Sequence, residues 1–436
     1  MNIANKQIAT QDLAHIWHPC TQMKDHEILP LVPIKRAKGV YLYDFEDNSY
    51  IDAISSWWVN IFGHTNEYIS NKIKEQLDTL EHVLLAGFTH KPAVDLAKKL
   101  VEITPNGLEK VFFADNGSSA IEVALKMSFH YHRNKGENRP LFLSLTNSYH
   151  GETIGALSVG DVELYKETYK PLLISSIQTP VPKDQTIESA NEAIEKLKEI
   201  LKERGKEISA FIIEPLVQGA GYMHMYHPIY IKKAKEICQK YGIHLIADEI
   251  MTGFGRTGSM FAVEQAEITP DFMTLSKGLT GGFLPLAVVM TNNEVYSAFY
   301  CDYNEHKAFL HSHSYTGNPL ACSSALATLE LFDKSNVIEE NRKKSTYILK
   351  KVEKFKELSN VKEIRQTGMI TAIELKGYKP EERIGLKVYQ YGLKHGVLLR
   401  PLGHIIYFMP PYIINYKEID KMIETAYEAI KEILYP

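Results

Sequence analysis

The strongest constraint on the fold is an alternation of two patterns between about residues 65 and 330. Short apolar, β-prone runs alternate with segments whose apolar residues recur at helical spacing, which is typical of a largely parallel sheet covered by helices. The strand candidates lie at residues 111–114, 141–145, 211–216, 244–250, 272–276 and 286–291, and the clearest helices at 118–132 and 228–241. We therefore predict an α/β fold whose large domain has a mostly parallel sheet between helices.

The two ends of the chain have a different pattern. Residues 39–44 and 47–52 are two β-prone runs around a polar turn, which predicts a hairpin. Beyond residue 331, two long charged amphipathic helices flank strand-like runs at 369–374 and 397–409. We predict a smaller α+β domain built from both termini, residues 1–64 and 331–436, around a large domain of residues 65–330.

Composition limits the classes of partner and location. The net charge is -4 and 23% of residues are charged, so the basic surface that nucleic-acid binding requires is not predicted. The first residues lack the apolar core of a signal peptide, and no apolar run is long enough to span a membrane. The cysteines and several histidines lack metal-ligand spacing, and the cysteines lack the density of a disulfide framework. We expect a cytoplasmic protein that acts on small molecules without a metal, a membrane or a nucleic acid.

A lysine and an aspartate indicate the chemistry. Lys277 follows the strand candidate 272–276 and precedes small residues, at a junction where α/β proteins place reactive groups. Asp248 ends the apolar run 243–247. A pyridoxal phosphate (PLP) enzyme needs an amine that forms a Schiff base and a carboxylate that keeps the ring nitrogen protonated. Most lysines are ordinary surface residues, so the pairing with Asp248 is what favours a PLP site.

Other segments add groups that such a site would use. Gly117–Ser118 follow a strand and open a helix, where backbone N–H groups and the helix dipole favour a phosphate, although serine is also a common helix cap. Tyr149 follows another strand and can stack on a pyridine ring. Arg400 precedes a rigid proline and suits bidentate binding of a substrate carboxylate. Adjacent Trp57 and Trp58, if in a strand, would point to opposite faces, one into the core and one into a pocket.

A glycine pattern favours a different class of enzyme. Residues 253–258 match the G-x-G-x-x-G pattern of dinucleotide-binding proteins, which would indicate an NAD-dependent dehydrogenase. A Rossmann motif should open a long helix and be followed about 20 residues later by an acid, whereas here Pro270 interrupts and that later position falls near Lys277. We therefore interpret these glycines as a loop that passes close to a cofactor.

Taken together, these motifs resemble the class III, ornithine aminotransferase-like PLP enzymes of fold type I, over nearly the whole chain. Within that family they are similar to the enzymes of biotin synthesis that convert 8-amino-7-oxononanoate to 7,8-diaminononanoate. The segments that carry the resemblance are residues 15–19, 55–58, 214–221, 225–228, 400–403 and 409–412.

The resemblance implies a role for each site residue. Lys277 would carry the cofactor, Asp248 would pair with the ring nitrogen, and Tyr149 would stack on the ring. The phosphate would be held by Gly117 and Ser118, and by Ser314, next to His313, from the other subunit of a homodimer. The residues implied for the substrate site are Trp57, Tyr149, Lys277, Ser312, Arg256, Cys20 and Arg400, the last binding the carboxylate of the oxo acid.

The amino donor and the substrate are each open to more than one interpretation. Cys20 stands where many family members have tyrosine, and Glu152 where aspartate is common. Residues 313–318 resemble relatives that use lysine as donor, whereas residues 57–58 and 225–228 resemble users of S-adenosylmethionine, the donor that we expect.

A class III aminotransferase for ornithine, 4-aminobutyrate or a diamine would share most of these motifs, and so would a PLP-binding regulator without catalysis. Two substrates using one pocket in turn predict ping-pong kinetics.

Overall fold

The computed structural model describes residues 3–434, which form two compact units. One unit contains the chain up to Glu67, the segment Lys344–Ile364 and the chain from Thr371 onwards. The other contains Tyr68–Lys343 and Arg365–Ile370. No helix between residues 3 and 434 is long and apolar enough to cross a membrane.

The N-terminal part forms a small antiparallel sheet. Its elements are α1 Ile3–His15, β1 Ile34–Lys38, β2 Tyr41–Asp44, β3 Ser49–Asp52 and a single turn, α2 Ser55–Trp58. Strands β2 and β3 pair antiparallel, with Leu42 opposite Tyr50, so the predicted hairpin is confirmed. The buried Asp44 closes the turn between them by accepting hydrogen bonds from the backbone N–H groups of Glu46 and Asn48.

The middle of the chain contains strands that alternate with helices, as the sequence predicts. They are α3 Glu67–Leu77, α4 Lys91–Ile103, β4 Lys110–Ala114, α5 Gly117–Asn134, β5 Leu141–Leu145, α6 Ile154–Ser158, α7 Glu163–Lys166, β6 Ser176–Thr179, α8 Ile187–Arg204, β7 Ile208–Ile213, β8 Val217–Gln218, β9 His224–Met225, α9 Ile229–Tyr241, β10 His244–Asp248, β11 Phe272–Leu275, β12 Ala287–Thr291, α10 Asn293–Ser297, α11 Pro319–Lys334 and α12 Val337–Val352.

A seven-stranded sheet organises this part, in the order β4-β12-β11-β10-β7-β5-β6. Strand β12 runs antiparallel to both of its neighbours, and the other strands run parallel. All residues of β7 are buried, as expected for a central strand with both faces covered. The predicted α/β architecture with a mostly parallel sheet is confirmed. Strand β6 was not predicted, and β7 begins and ends three residues before the predicted 211–216.

The C-terminal elements are β13 Val361–Thr367, β14 Ile370–Leu375, α13 Ile384–Lys394, β15 Val397–Leu398, β16 Ile405–Phe408 and α14 Tyr416–Leu434. The single strand predicted at 397–409 is wrong, because Pro401 and Gly403, whose φ is +59°, interrupt it. Strand β15 instead lies parallel to β3, with Leu398 opposite Asp52, while β16 pairs with β14 in a three-stranded sheet.

Candidate active site

Parallel strands deliver the predicted chemical groups to one edge of the seven-stranded sheet. Asp248 is the last residue of β10, and Lys277 follows the neighbouring strand β11. Tyr149 and His150 follow β5, and Glu214 follows β7, which lies between β5 and β10. Since ligands of open α/β sheets bind beyond the carboxyl ends of the strands, this edge is the candidate active site.

Lys277 begins a short 3-10 helix, Lys277–Thr280, with a positive φ of 47°. Such a backbone conformation is uncommon for a residue with a side chain and is often found at functional sites. Part of its surface remains open to solvent, yet the protein packed around the amine lowers the pKa of Lys277 to about 8. The negative charges of Asp248 and Glu214 oppose that shift. An amine that loses its proton near neutral pH can act as a nucleophile or a base.

Asp248 is buried and is held by a histidine to which the sequence analysis gave no role. His150 Nδ1 lies 2.7 Å from Asp248 Oδ2, and the backbone N–H of Ile250 donates to Asp248 Oδ1 at 3.1 Å. Since a carboxylate only accepts, Nδ1 of His150 carries the proton of this bond. His150 Nε2 is buried and has no hydrogen-bond partner among the described residues. An unpaired ring nitrogen next to Asp248 is unusual for a purely structural histidine.

Glu214 was also missed as a functional residue. Its carboxylate accepts hydrogen bonds from the backbone N–H of Tyr149 at 2.9 Å and of Gly219 at 2.8 Å, so it fixes the loop that presents the Tyr149 ring. Burial raises the pKa of Glu214 to about 7, and the charge of Asp248 adds to the increase. The predicted strand 211–216 includes Glu214, and only the observed end of β7 at Ile213 places this acid directly after a buried strand.

The predicted phosphate site is the start of α5. Asn116 caps this 18-residue helix by accepting from the backbone N–H of Ser119 at 3.0 Å, and Gly117 and Ser118 form its first turn. A Cβ on Gly117 would come within 3.0 Å of the Ile250 side chain, and a Cβ on Gly151 would overlap the Ser118 hydroxyl. Only small residues leave room at this helix start, which suits an anion held by backbone groups.

These residues fit PLP. The site offers an amine of lowered pKa, a buried carboxylate supported by a histidine, an aromatic ring and a helix N-terminus that begins with small residues. Tyr149 stands at the edge of this set, where its hydroxyl donates to Glu152 at 3.0 Å and its ring lies 5.4 Å from that of Tyr165.

The loop before α11 contains Ser312, His313 and Ser314. Both serines are exposed, and a turn with Thr316 Oγ1, 3.0 Å from the backbone nitrogen of His313, shapes the loop. His311 connects this loop to α5, with Nδ1 2.9 Å from Lys126 Nζ. The expectation that Ser314 reaches a phosphate on another subunit concerns a second copy of the chain and stays a prediction.

The glycine-rich loop 253–258 opens no long helix. Gly255 and Gly258 have φ of +90° and +95°, and the next helical segment is the short 3-10 helix Ala262–Ala266. The dinucleotide-binding alternative therefore lacks the helix that its motif requires. Arg256, predicted to contact substrate, is only 1% exposed, and its carbonyl accepts from the backbone N–H of Met369 at 2.8 Å.

Three other predicted substrate residues lie together in the unit that contains both termini. The Arg400 guanidinium lies over the Trp57 ring, 5.0 Å from its centre, and one of its nitrogens is 3.5 Å from the Cys20 carbonyl oxygen. Trp57 is 41% exposed and Trp58 is buried. The two rings do point to different environments, but residues 55–58 form a left-handed turn and not a strand.

The comparisons with known proteins agree with this chemistry. A family model described as "Aminotransferase class-III" matches residues 21–430. The adenosylmethionine-8-amino-7-oxononanoate aminotransferase of Helicobacter pylori is 53% identical over 435 residues, covering 98% of each chain, and that of Aquifex aeolicus is 42% identical over 444 residues, also covering 98% of each. The crystal structure of the Methanocaldococcus jannaschii enzyme of the same name has a TM-score of 0.94 at 40% identity, covering 98% of this chain and 99% of that one. An omega transaminase from Pseudomonas jessenii, in complex with PMP, has a TM-score of 0.92 at 28% identity, covering 98% of each chain. The chain belongs to the class III aminotransferases.

Proposed function

We propose that this chain transfers an amino group to 8-amino-7-oxononanoate, giving 7,8-diaminononanoate for biotin biosynthesis. PLP is the cofactor and S-adenosylmethionine the amino donor. The observation that carries the reaction class is the Lys277 amine beyond the end of β11, beside Asp248 at the end of β10; burial lowers the pKa of Lys277 to about 8 although the charges of Asp248 and Glu214 oppose the shift. The choice of substrates is supported by the names of relatives that are 53% and 42% identical over nearly their whole length.

Each residue of the strand edge has a task in this proposal. When bound, PLP supplies an aldehyde that combines with amines and a ring that withdraws electrons from the substrate carbon. Lys277 Nζ holds the cofactor between turnovers and moves a proton to and from the substrate carbon during them. Asp248 keeps a proton on the ring nitrogen, and His150 fixes the orientation of that carboxylate. The first turn of α5 binds the phosphate, and Tyr149 packs on the ring.

The pair of Trp57 and Arg400 suits the oxo acid. This substrate has a long aliphatic chain that ends in a carboxylate. An indole ring offers apolar surface to the chain, and a guanidinium binds a carboxylate bidentately. Arg400 already lies over the Trp57 ring, so an apolar and a cationic surface occur side by side.

We further propose that the enzyme is a homodimer whose sites use residues of both copies. The segment that precedes Ser314 exposes large side chains, with Tyr300 77%, Tyr303 91% and Leu310 91% accessible. Apolar surface of this kind is typical of an interface between subunits.

The proposed activity is tested with the protein supplied with PLP. S-adenosylmethionine or lysine is added separately together with 8-amino-7-oxononanoate, and the diamine is measured. We expect product with S-adenosylmethionine, and none from Lys277→Ala. Lys235→Ala is the matched control, because Lys235 is a buried lysine of the same unit, with Nζ 2.6 Å from Asp271 Oδ2, but contributes no reactive group.

Several outcomes would contradict specific parts of the proposal. Product with lysine but not with S-adenosylmethionine would show that lysine is the amino donor. Turnover of ornithine or 4-aminobutyrate with 2-oxoglutarate, without turnover of 8-amino-7-oxononanoate, would establish a different aminotransferase. Failure to bind PLP, with a spectrum identical to that of the free cofactor and no PLP retained by the protein after desalting, would overturn the proposal as a whole.

A further inference from the structure

Residues 55–58 form a left-handed helical turn built without glycine. Ser55, Ser56, Trp57 and Trp58 have φ values of 53°, 46°, 71° and 74°. The turn is closed by hydrogen bonds from Trp58 N to Ile54 O at 2.9 Å and from Val59 N to Ser55 O at 3.0 Å. In such a turn each Cβ lies too close to a neighbouring carbonyl oxygen, so side-chain residues adopt it only where the surroundings impose it.

Asp52 imposes it from the end of β3. Its carboxylate is fully buried, and Oδ1 accepts from the backbone nitrogens of Ser56 at 2.9 Å and Ile54 at 3.3 Å. Oδ2 accepts from the Ser56 hydroxyl at 2.7 Å and lies 2.9 Å from His64 Nε2. Each carboxylate oxygen therefore accepts two hydrogen bonds, and these bonds hold the first half of the turn in its left-handed form.

His64 holds Asp52 in turn. Its backbone exchanges hydrogen bonds with Gly39, at 2.7 Å and 3.1 Å, which fixes the residue to the turn between β1 and β2. The Asn60 side-chain amide nitrogen lies 3.2 Å from His64 Nδ1. When that amide donates to Nδ1, the imidazole proton resides on Nε2 and is donated to Asp52. Asp52 and His64 thus form a clamp on the turn.

The turn directs its two tryptophans to different surroundings. Trp58 anchors the opposite side of the turn, with Nε1 donating to the Tyr407 hydroxyl at 3.1 Å, and Trp57 projects outward under Arg400. The same strands position the arginine, because Leu398 of β15 pairs with Asp52 and Arg400 follows two residues later.

We propose that Asp52 and His64 are positioning residues that fix Trp57 against Arg400 and thereby set the specificity for the alkyl carboxylate part of the oxo acid. They act through Trp57 and do not contact the reacting atoms. The identity of that substrate rests on the proposed function, whereas the clamp itself rests on the hydrogen bonds around the turn.

The test compares Asp52→Asn with Asp44→Asn in the PLP-loaded enzyme. Asp44 is also a buried, multiply hydrogen-bonded carboxylate at a strand end of the same sheet, but it organises the β2–β3 turn instead of residues 55–58. The first readout is hydrogen–deuterium exchange of a peptide that covers Trp58, Val59 and Asn60. Exchange should be faster in Asp52→Asn than in wild type and unchanged in Asp44→Asn.

The second readout is steady-state kinetics at saturating donor. Asp52→Asn and His64→Ala should raise KM for the oxo acid roughly tenfold or more, with much smaller changes in kcat, because an interaction with bound substrate is lost and the reacting groups are not. His64→Gln should recover most of the wild-type KM, since its amide can donate to Asp52 as Nε2 does.

Three results would overturn the inference. They are unchanged exchange in Asp52→Asn, equal effects of the two aspartate variants on KM, or loss of kcat without a change in KM. If the wild-type enzyme does not turn over 8-amino-7-oxononanoate, the proposed function fails, and the exchange comparison still decides whether the clamp holds the turn.

Discussion

The site contains a histidine whose role depends on a single hydrogen bond. His150 Nδ1 lies 2.7 Å from Asp248 Oδ2. We expect His150→Ala to lower kcat by about 10- to 100-fold, as the loss of a supporting hydrogen bond to a key ligand does elsewhere. His150→Asn should restore part of the rate, because the asparagine amide can occupy the place of Nδ1. Absorbance of the bound cofactor and kcat are the measurements.

His132 provides the control for this substitution. It is equally buried, and its ring nitrogens lie 3.1 Å from Glu137 Oε2 and 3.2 Å from the Ser209 carbonyl oxygen, so its contacts are structural. His132→Ala should lower the free energy of unfolding and leave kcat close to wild type. If both alanine variants affect kcat equally, His150 has no special connection with Asp248.

A functional residue can be predicted from sequence when its role depends on residues close to it along the chain. Lys277 and Asp248 were recognisable because each has the required chemical type at or just beyond the end of an apolar strand. His150 and Glu214 lie after strands too, yet their roles arise from contacts between loops of β5, β7 and β10. Strand order in the sheet decides those contacts, and local patterns do not specify it.

At the scale of elements, the join between the β5 loop and the start of α5 is the tightest part of the phosphate site. Gly151 has φ of +125°, and a Cβ there would overlap the Ser118 hydroxyl. We expect Gly151→Ala to destabilise the protein by about 1–3 kcal/mol, as overpacking does. It should also weaken PLP binding, because Ser118 must move. Urea unfolding and a PLP titration followed by absorbance measure the two effects.

Substitution of Gly136 is the control that separates the clash of an added Cβ from the cost of a positive φ. It also has a positive φ, +78°, but a Cβ there would meet nothing within 4 Å. Gly136→Ala should therefore show only the cost of a left-handed backbone and retain wild-type affinity for PLP. Equal PLP affinities of the two variants would show that the space at Gly151 does not matter for the phosphate.

Element prediction failed where packing outweighed local preference. Nothing in the sequence of residues 55–58 indicates a left-handed turn, which the bonds of Asp52 and the anchoring of Trp58 impose. Strand β6 was missed because its residues, Ser176–Thr179, are mostly polar or only partly buried at the edge of the sheet. The contact of Trp58 with Tyr407 and the pairing of β6 with β5 both join residues that are distant in sequence.

At the scale of the whole molecule, alternating strand and helix patterns were enough to predict the α/β class. Parallel strands need long crossovers, so the periodicity itself restricts the possible architectures. The way in which two copies of the chain associate could not be predicted from the same patterns. A surface that is apolar because it binds a second copy looks, in sequence, like any other apolar surface.

The proposed sharing of sites between subunits can be tested by mixing two inactive variants. Lys277→Ala removes the amine, and Ser314→Asp places a negative charge where the partner's phosphate is expected. If Ser314 serves the other subunit, a mixed dimer contains one site with both wild-type residues and one with neither. Random mixing after partial unfolding should then recover about a quarter of wild-type activity, since half of the dimers are mixed and each has one intact site.

If Ser314 acts within its own subunit, every site in the mixture contains a substituted residue, and no activity returns. Size-exclusion chromatography of the mixture checks that dimers have re-formed, so an absence of recovery would count against the shared site.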